Sequence, residues 1–181
     1  KMKYDMAYRT VDRKENLFLL KNKFDNQEVL NSLKSKIESN LEETNYNKTN
    51  VKAHMTSWNF FNEDEDFIFF FKSLVPDIRR LLGPQKSIYI HNAWGTMLSE
   101  GEHHVKRHEH KRVDFFCGVL HLSDEGPGLY FEDFDETIQE EFGGYVLFHP
   151  DSYHEVKKFN YTKPRFSIAF NINKNWFGET K

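Results

Sequence analysis

A series of short apolar segments, separated by glycine and proline residues, fills the C-terminal half of the chain and restricts the fold more than any other feature. Turn signals stand at Gly126-Pro127-Gly128, Gly143-Gly144, Pro150 and Pro164. Runs of this length between such turns are typical of β-strands. The candidate strands are residues 87–97, 105–110, 115–122, 129–131, 145–148, 154–157 and 165–172. So many short strands in about ninety residues predict an antiparallel sandwich or barrel.

The N-terminal half has helical periodicity instead. Apolar residues recur every four positions over residues 27–42, and Asn26 suits the N-cap, so this segment is predicted to form a helix. A second helix is predicted over residues 63–82, between an acidic segment and Gly83-Pro84. Pro76 is expected to kink this helix or to begin another one.

The two halves together predict an α+β chain with a jelly-roll-like β core braced by N-terminal helices. A length of 181 residues suits a single domain with a full hydrophobic core. Within residues 1–181 we expect a helical N-terminal support over residues 1–85 and a β core over residues 86–177.

Composition and charge exclude several classes of protein. The net charge of -3 lacks the basic footprint of nucleic-acid-binding proteins, so nucleic acid is not an expected partner. No apolar run approaches the roughly 20 residues that a membrane span requires, and no secretory signal pattern opens the sequence. The single cysteine, Cys117, stands in an apolar run and fits a reducing compartment. We therefore expect a cytoplasmic protein with Cys117 buried and no membrane association.

Three histidines have the spacing of a metal site. His108 and His110 stand one residue apart in a candidate strand, and side-chain alternation points both to one face. His154 begins a later candidate strand and supplies a third imidazole at the mouth of the barrel. Alternation turns Glu109 to the other face, so three imidazoles are the favoured ligand set, with Asp114 as the alternative ligand. Zinc and iron both accept such ligands, so ligand type alone does not decide the metal.

A possible anion clamp follows the third histidine. Arg165 and Ser167 face the same way on the last candidate strand, and the planar guanidinium of an arginine suits a carboxylate. The alternative for Arg165 is a strand residue in a surface salt bridge. Asn92 and Trp94 share a face of the first long strand, where they either line a pocket or belong to the core.

From Trp94 to Asn171 these motifs resemble one family of enzymes. The matching segments, in chain order, are Gly101, His108-Glu109-His110, residues 116–122, residues 126–131, residues 144–150, His154 and residues 165–171. The sequence is similar there to Fe(II)/2-oxoglutarate-dependent oxygenases with a double-stranded β-helix. It is closest to the prolyl-hydroxylase-like branch and its small members from phages and marine bacteria. The resemblance covers slightly less than half of the chain.

The resemblance implies a role for each matching position. His108 and His154 match the two histidine ligands of Fe(II), and His110 stands where most relatives have aspartate. Arg165 and Ser167 would bind the distal carboxylate of 2-oxoglutarate. A tyrosine that many prolyl hydroxylases have is replaced by Leu98, and Tyr89, Tyr130 or Tyr145 are the candidates to substitute for it. Asn92 and Tyr130 complete the expected contacts to the co-substrate.

The implied activity is hydroxylation of a C–H bond with release of succinate and CO2, with ascorbate as a candidate stimulant. The primary substrate is not readable from the sequence, and the resemblance slightly favours a peptidyl side chain over a small molecule. Two alternatives stay open. A cupin-type dioxygenase would use His108, His110, Asp114 and His154 without 2-oxoglutarate, and a non-catalytic β-barrel module would hold zinc structurally.

Overall fold

The computed structural model describes residues 2–6, 9–14, 16–42, 50–84 and 87–174. Within them the helices are α1 (Gln27–Ser39) and α2 (Glu65–Leu82), and a 3-10 turn spans Glu132–Phe134. The strands are β1 (Met2–Met6), β2 (Arg9–Lys14), β3 (Leu17–Lys23), β4 (Val51–Lys52), β5 (His54–Met55), β6 (Ile88–Leu98), β7 (His104–His108), β8 (Phe116–His121), β9 (Leu129–Phe131), β10 (Glu136–Ile138), β11 (Gly144–Phe148), β12 (His154–Val156) and β13 (Arg165–Lys174).

These strands form two antiparallel sheets that enclose a shared core. In the described residues the larger sheet has the order β1-β2-β3-β11-β8-β13-β6-β5, and the smaller has the order β10-β9-β12-β7-β4. Most neighbouring strands of the C-terminal half are not consecutive in the sequence, because the chain there passes repeatedly from one sheet to the other. This arrangement is a double-stranded β-helix, and the predicted α+β jelly roll is confirmed.

The two helices cover the outer face of the larger sheet, as predicted. Asn26 accepts a hydrogen bond from the Val29 amide at 3.1 Å and begins α1, and Asp64 accepts one from Phe67 at 3.0 Å and begins α2. Helix α2 continues through Pro76 as a single helix. A largely aromatic and aliphatic cluster fills the space between these helices and the sheet.

The N-terminal region contains strands that the sequence did not predict. Residues 19–23 of strand β3 pair with β11, and β2 pairs in turn with β3. Phe18, Leu19 and Leu20 are all buried, because β3 contributes to the cores on both faces of the larger sheet. A continuous apolar run of this kind has no period that separates a strand from a helix. The described part of residues 1–85 is therefore a mixture of strands and helices, and the division at residue 86 stays a prediction.

The inner face of the larger sheet carries the polar residues of the last strand. Along β13, alternate residues enter the outer cluster, while Arg165, Ser167 and Asn171 lie on the inner face. The register sets Ser167 opposite Thr96 on one side and His121 on the other. Residues from distant parts of the sequence thus meet between the two sheets.

No helix in the described ranges has the length and apolar character needed to cross a lipid bilayer.

Candidate metal centre and adjoining pocket

Two neighbouring strands of the smaller sheet bring the three predicted histidines together. His154 on β12 lies directly opposite His108 on β7. The ring centroids are 4.3 Å apart for this pair, 4.8 Å apart for His108 and His110, and 5.1 Å apart for His110 and His154. One nitrogen from each ring lies within 4.8 Å of the others, a separation that one metal ion can bridge. The sequence spacing therefore predicted the cluster correctly, and ligation itself stays a prediction.

His110 reaches the cluster from a turn rather than from a strand. Strand β7 ends at His108, two residues earlier than predicted. The His110 amide donates to the Pro150 carbonyl at 2.8 Å, and the His110 carbonyl accepts from Val113 at 2.9 Å. These bonds fix the turn on both sides of the imidazole. Glu109 accepts a hydrogen bond from the Lys111 amide at 2.7 Å and is not part of the described cluster of three histidines.

Hydrogen bonds to backbone carbonyls fix the tautomer of two of these histidines. Nδ1 of His108 lies 2.6 Å from the Lys106 carbonyl, and Nδ1 of His154 lies 2.9 Å from the Ser152 carbonyl. A carbonyl only accepts, so each Nδ1 carries the hydrogen and each Nε2 keeps its lone pair. This is the usual arrangement around metal-bound histidine, in which the outer nitrogen donates to a fixed acceptor.

Burial keeps all three imidazoles neutral. Desolvation lowers the pKa of His108 and lowers the pKa of His110 to about 4, with a further contribution from neighbouring His108 in the second case. Desolvation also holds the pKa of His154 well below its usual range. Since a metal competes with protons for the same lone pairs, rings that stay unprotonated at neutral pH are ready to act as ligands.

Asp114, the alternative ligand, lies elsewhere. Its carboxylate accepts a hydrogen bond from the Lys174 amide at 2.8 Å, and its own amide donates to the Asn173 side chain at 3.0 Å. The residue thus binds the end of β13 and is not part of the described metal cluster. The prediction of Asp114 as an alternative ligand is therefore wrong, because the chain after His110 leads Asp114 to the end of β13 rather than to the three histidines.

A pocket extends from the three histidines between the two sheets. Most of its wall is apolar. Its lining includes Val51, Trp94, Val105, Cys117, Val119, Leu129, Phe148, Val156 and Ala169. The polar lining residues are the three histidines, Thr96, Arg165, Ser167 and Asn171. A mostly apolar wall with a few convergent polar groups is typical of a small-molecule site. Cys117 is buried, as predicted.

Arg165 enters this pocket as a deeply buried cation. Its side chain is 2% exposed, so the alternative of a surface salt bridge is wrong. Nη1 donates to Ser167 Oγ at 3.4 Å, and Nε donates to Glu140 Oε1 at 2.7 Å. Glu140 is a site residue that the sequence did not identify. It lies in an acidic segment where a buried carboxylate has no local signature.

Buried polar atoms without partners lie close to Arg165. Among the described residues, the two ring nitrogens of His121 and the hydroxyl of Tyr161 have no hydrogen-bond partner. Burial, and then the positive charge of Arg165, lowers the pKa of His121 to about 3. Burial raises the pKa of Tyr161 to about 12. Since buried polar groups are rarely left unsatisfied, this region fits a polar ligand, and its donors suit a carboxylate.

Two other predicted contacts are not in this pocket. Tyr130 lies on the outer side of β9, where its hydroxyl donates to Asp135 at 3.0 Å, because alternation turns Leu129 and Phe131 inward instead. Asn92 accepts from Asn171 Nδ2 at 2.6 Å and lines an adjoining cavity next to His110. The outward position of Tyr130 contradicts its predicted contact with the co-substrate, whereas the contact of Asn92 stays a prediction. Trp94 and Thr96 are the residues of β6 that line the pocket.

The remaining candidate tyrosines also have other contacts. The Tyr145 hydroxyl donates to the Asp77 carboxylate at 3.0 Å beneath α2, on the outer face of the larger sheet. Tyr89 is 40% exposed near the far end of β6. Neither tyrosine lines the pocket. Tyr161, which the sequence did not single out, is the tyrosine whose buried hydroxyl lies near Arg165.

A second group of possible ligands, His54, Glu100 and His103, lies near the other end of β7. Here Nδ1 of His103 accepts hydrogen bonds from the amides of Ser99 at 3.0 Å and Glu100 at 3.3 Å. Amides only donate, so the hydrogen of neutral His103 is on Nε2, which lies 3.6 Å from Glu100. A protonated Nε2 has no lone pair for a metal. This cluster is therefore a turn fixed by a histidine.

No protein-family model and no curated protein matches the sequence. Solved structures do match its fold. A prolyl-4-hydroxylase from Pseudomonas putida has 13% identity and a TM-score of 0.65, with 86% of this chain and 92% of that chain covered. HygX from Streptomyces hygroscopicus, solved with nickel, 2-oxoglutarate and hygromycin B, has 9% identity and a TM-score of 0.66, with coverages of 87% and 83%.

A third match is the viral collagen prolyl hydroxylase of Paramecium Bursaria Chlorella virus-1, solved as a 2-oxoglutarate complex. It has 12% identity and a TM-score of 0.62, with 84% of this chain and 94% of that chain covered. At these identities the likeness establishes the fold. The chain has the double-stranded β-helix of the 2-oxoglutarate/Fe(II) oxygenases, with prolyl hydroxylases among its structural neighbours, and the predicted resemblance is confirmed at that level.

Proposed function

We propose that the protein is an Fe(II)- and 2-oxoglutarate-dependent dioxygenase that hydroxylates a C–H bond. The observation that carries the proposal is the pairing, in one pocket, of three neutral imidazoles with the buried guanidinium of Arg165. Fe(II) would be held by His108, His110 and His154, and the distal carboxylate of 2-oxoglutarate by Arg165 and Ser167. The overall reaction converts substrate, O2 and 2-oxoglutarate into hydroxylated substrate, succinate and CO2.

Bound iron and 2-oxoglutarate would together supply the oxidant, and the chain would supply orientation and a dry environment. The carbonyls of Lys106 and Ser152 hold two imidazoles with Nε2 facing the metal position. Arg165 offers terminal N–H groups to a carboxylate, with Ser167 beside them. The apolar wall excludes water, which strengthens these polar contacts.

The substrate class is a finer part of the proposal, and a peptidyl side chain is favoured slightly over a small molecule. One solved neighbour is a prolyl hydroxylase from Trichoplax adhaerens in complex with a peptide fragment of the hypoxia-inducible-factor oxygen degradation domain. It has 17% identity and a TM-score of 0.55, with coverages of 82% and 76%. This support is analogy at the level of the fold.

The alternatives have less support. A cupin-type site would need Asp114 beside the histidines, and Asp114 instead binds the Lys174 amide. A structural zinc site is normally closed by four protein ligands, whereas the described cluster contributes three. Three ligands leave positions open for a co-substrate, which favours a catalytic metal.

The test is an anaerobic titration of metal-free protein with Fe(II) and then with 2-oxoglutarate, following the visible charge-transfer band of a chelated keto acid. We expect the band in the wild type and in Arg107→Ala, a control at an exposed arginine. Arg165→Ala should weaken 2-oxoglutarate binding at least about 30-fold, as expected when a buried charged partner is removed. Its iron stoichiometry should stay unchanged.

Two results would contradict the proposal. Equal affinity of Arg165→Ala and the wild type for 2-oxoglutarate would remove the clamp assignment. Stoichiometric iron binding with no band and no succinate formation would remove 2-oxoglutarate as the co-substrate and leave a metal protein of another kind.

A further inference from the structure

The clamp arginine is paired with a carboxylate of the chain itself. Arg165 Nε and Glu140 Oε1 are 2.7 Å apart, and the two side chains are 2% and 1% exposed. A buried ion pair is stabilising only when its geometry is good and its other hydrogen bonds are made. Glu140 meets this condition, because the Gly128 amide donates to its two carboxylate oxygens at 2.9 and 3.2 Å.

The glycine-proline-glycine turn is shaped around this carboxylate. A Cβ atom at Gly126 would lie 2.5 Å from the Glu140 carboxyl carbon, so a side chain there would displace Glu140. Gly128 has a φ of +85°, a conformation that favours glycine, and this conformation directs its amide to the carboxylate. Two backbone features of one turn thus converge on one buried side chain.

The pairing leaves the far edge of the guanidinium for another partner. Glu140 accepts a hydrogen bond from Nε of Arg165, and Ser167 accepts a longer one from Nη1. A guanidinium has five N–H donors in a fixed plane, so holding Nε sets the direction of the others. Arg165 lines the pocket with the same side chain that Glu140 holds.

The charges around the pocket explain why a carboxylate is tolerated beside the clamp. The usual iron site has a carboxylate on the metal, whereas the cluster here has three neutral imidazoles. Arg165 and Glu140 cancel each other, so a divalent metal leaves the pocket with two positive charges for a dianionic co-substrate. A site with a carboxylate on the metal and an unpaired arginine has the same sum. Compared with the usual site, the carboxylate here lies beside the arginine rather than on the metal.

We propose that Glu140 is a positioning residue, which orients Arg165 for the distal carboxylate of a 2-oxo diacid and thereby selects such diacids over 2-oxo monoacids. This proposal rests on the proposed function. It assigns a role to the turn at 126–128 and to a residue of the acidic segment that have no other explanation in the site.

The test compares two 2-oxo acids on anaerobic Fe(II)-loaded protein by calorimetry. The first is 2-oxoglutarate, and the second is 2-oxobutanoate, which has the same keto acid without a distal carboxylate. We expect Glu140→Gln to weaken 2-oxoglutarate at least tenfold and to leave 2-oxobutanoate within twofold. Glu141→Gln is the matched control, since the adjacent Glu141 is 61% exposed and pairs with Lys23 on the surface.

A second variant keeps the test decisive if Glu140→Gln does not fold. Glu140→Asp keeps the charge but is one methylene shorter, so it cannot hold both the Gly128 amide and Arg165 Nε. It should show the same selective loss of 2-oxoglutarate. An equal loss for both ligands, or no loss, in the folded variant would overturn the positioning role. If wild-type protein with bound iron takes neither 2-oxo acid, the proposed function itself fails, and that outcome is distinct.

Discussion

The two ends of strand β7 carry histidine clusters of similar composition and opposite chemistry. At the C-terminal end, Nδ1 of His108 donates to a carbonyl, and His154 does the same from the facing strand. At the N-terminal end, Nδ1 of His103 accepts from two amides. The first arrangement leaves Nε2 with a lone pair, and the second puts a hydrogen on it. The direction of one backbone hydrogen bond, rather than the number of histidines, therefore separates the candidate metal centre from a structural turn.

Substitution of the candidate metal ligands is expected to give the largest difference between the two histidine clusters. We expect His108→Ala and His154→Ala to weaken Co(II) binding by more than about 100-fold, because loss even of an outer partner of a ligand costs 10- to 100-fold. His103→Ala should bind Co(II) as the wild type does. Visible spectra during a Co(II) titration measure all three variants. Strong loss of Co(II) binding in His103→Ala would contradict this prediction, because it would place the metal at the N-terminal end of β7.

In the metal-free protein, we expect His103→Ala to lower the free energy of unfolding more than His108→Ala does. His103→Ala leaves the amides of Ser99 and Glu100 without their acceptor, so the free energy of unfolding should fall by about 1–3 kcal/mol. His108→Ala should change it less, because its ring is placed for a ligand. Urea unfolding in the presence of a chelator gives both values. A larger loss in His108→Ala would mean that both clusters are structural.

His121 is a third kind of buried histidine, because neither of its ring nitrogens has a hydrogen-bond partner in the described structure. Its pKa is about 3 in the folded chain, against an ordinary histidine value of 6.5 that applies to the unfolded chain. Between these values the unfolded chain binds a proton that the folded chain does not, so stability falls as the pH falls from 6.5. The slope from one such group approaches about 1.4 kcal/mol per pH unit.

Substitution isolates this contribution. In metal-free protein, His121→Leu should flatten the dependence of unfolding free energy on pH between 6 and 4 by up to that amount, measured by urea unfolding at several pH values. The same substitution at His91, an exposed position on β6, is the control and should leave the slope unchanged. An unchanged slope in His121→Leu would show that the ring becomes protonated without unfolding.

Local patterns in the sequence predicted the elements that have a clear period and a clear end. Helix α1 was expected over residues 27–42 and ends at Ser39, and α2 was expected over residues 63–82 and begins at Glu65. The spacing of the three histidines also predicted their cluster, although His110 reaches it from a turn after β7 rather than by alternation on that strand.

The rest of the site depends on contacts that no local pattern encodes. Glu140 meets Arg165 across 25 residues, and a turn between distant strands sets that contact. Tyr130 was misplaced because the direction in which a short strand faces is set by its neighbours. Strand β3 was missed for a related reason, since its apolar run is buried in the cores on both faces of the larger sheet and therefore has no period.

Strand β3 also determines where the chain can be cut. It occupies the open side of β11, whose other side is paired with β8. A fragment that starts at residue 86 would leave five residues of β11, from Gly144 to Phe148, with free amides and carbonyls on an apolar ribbon. Such an edge is a template for pairing with another molecule. The N-terminal segment therefore covers an edge through which the chain would otherwise self-associate. We expect a fragment that lacks this segment to aggregate, which light scattering would measure.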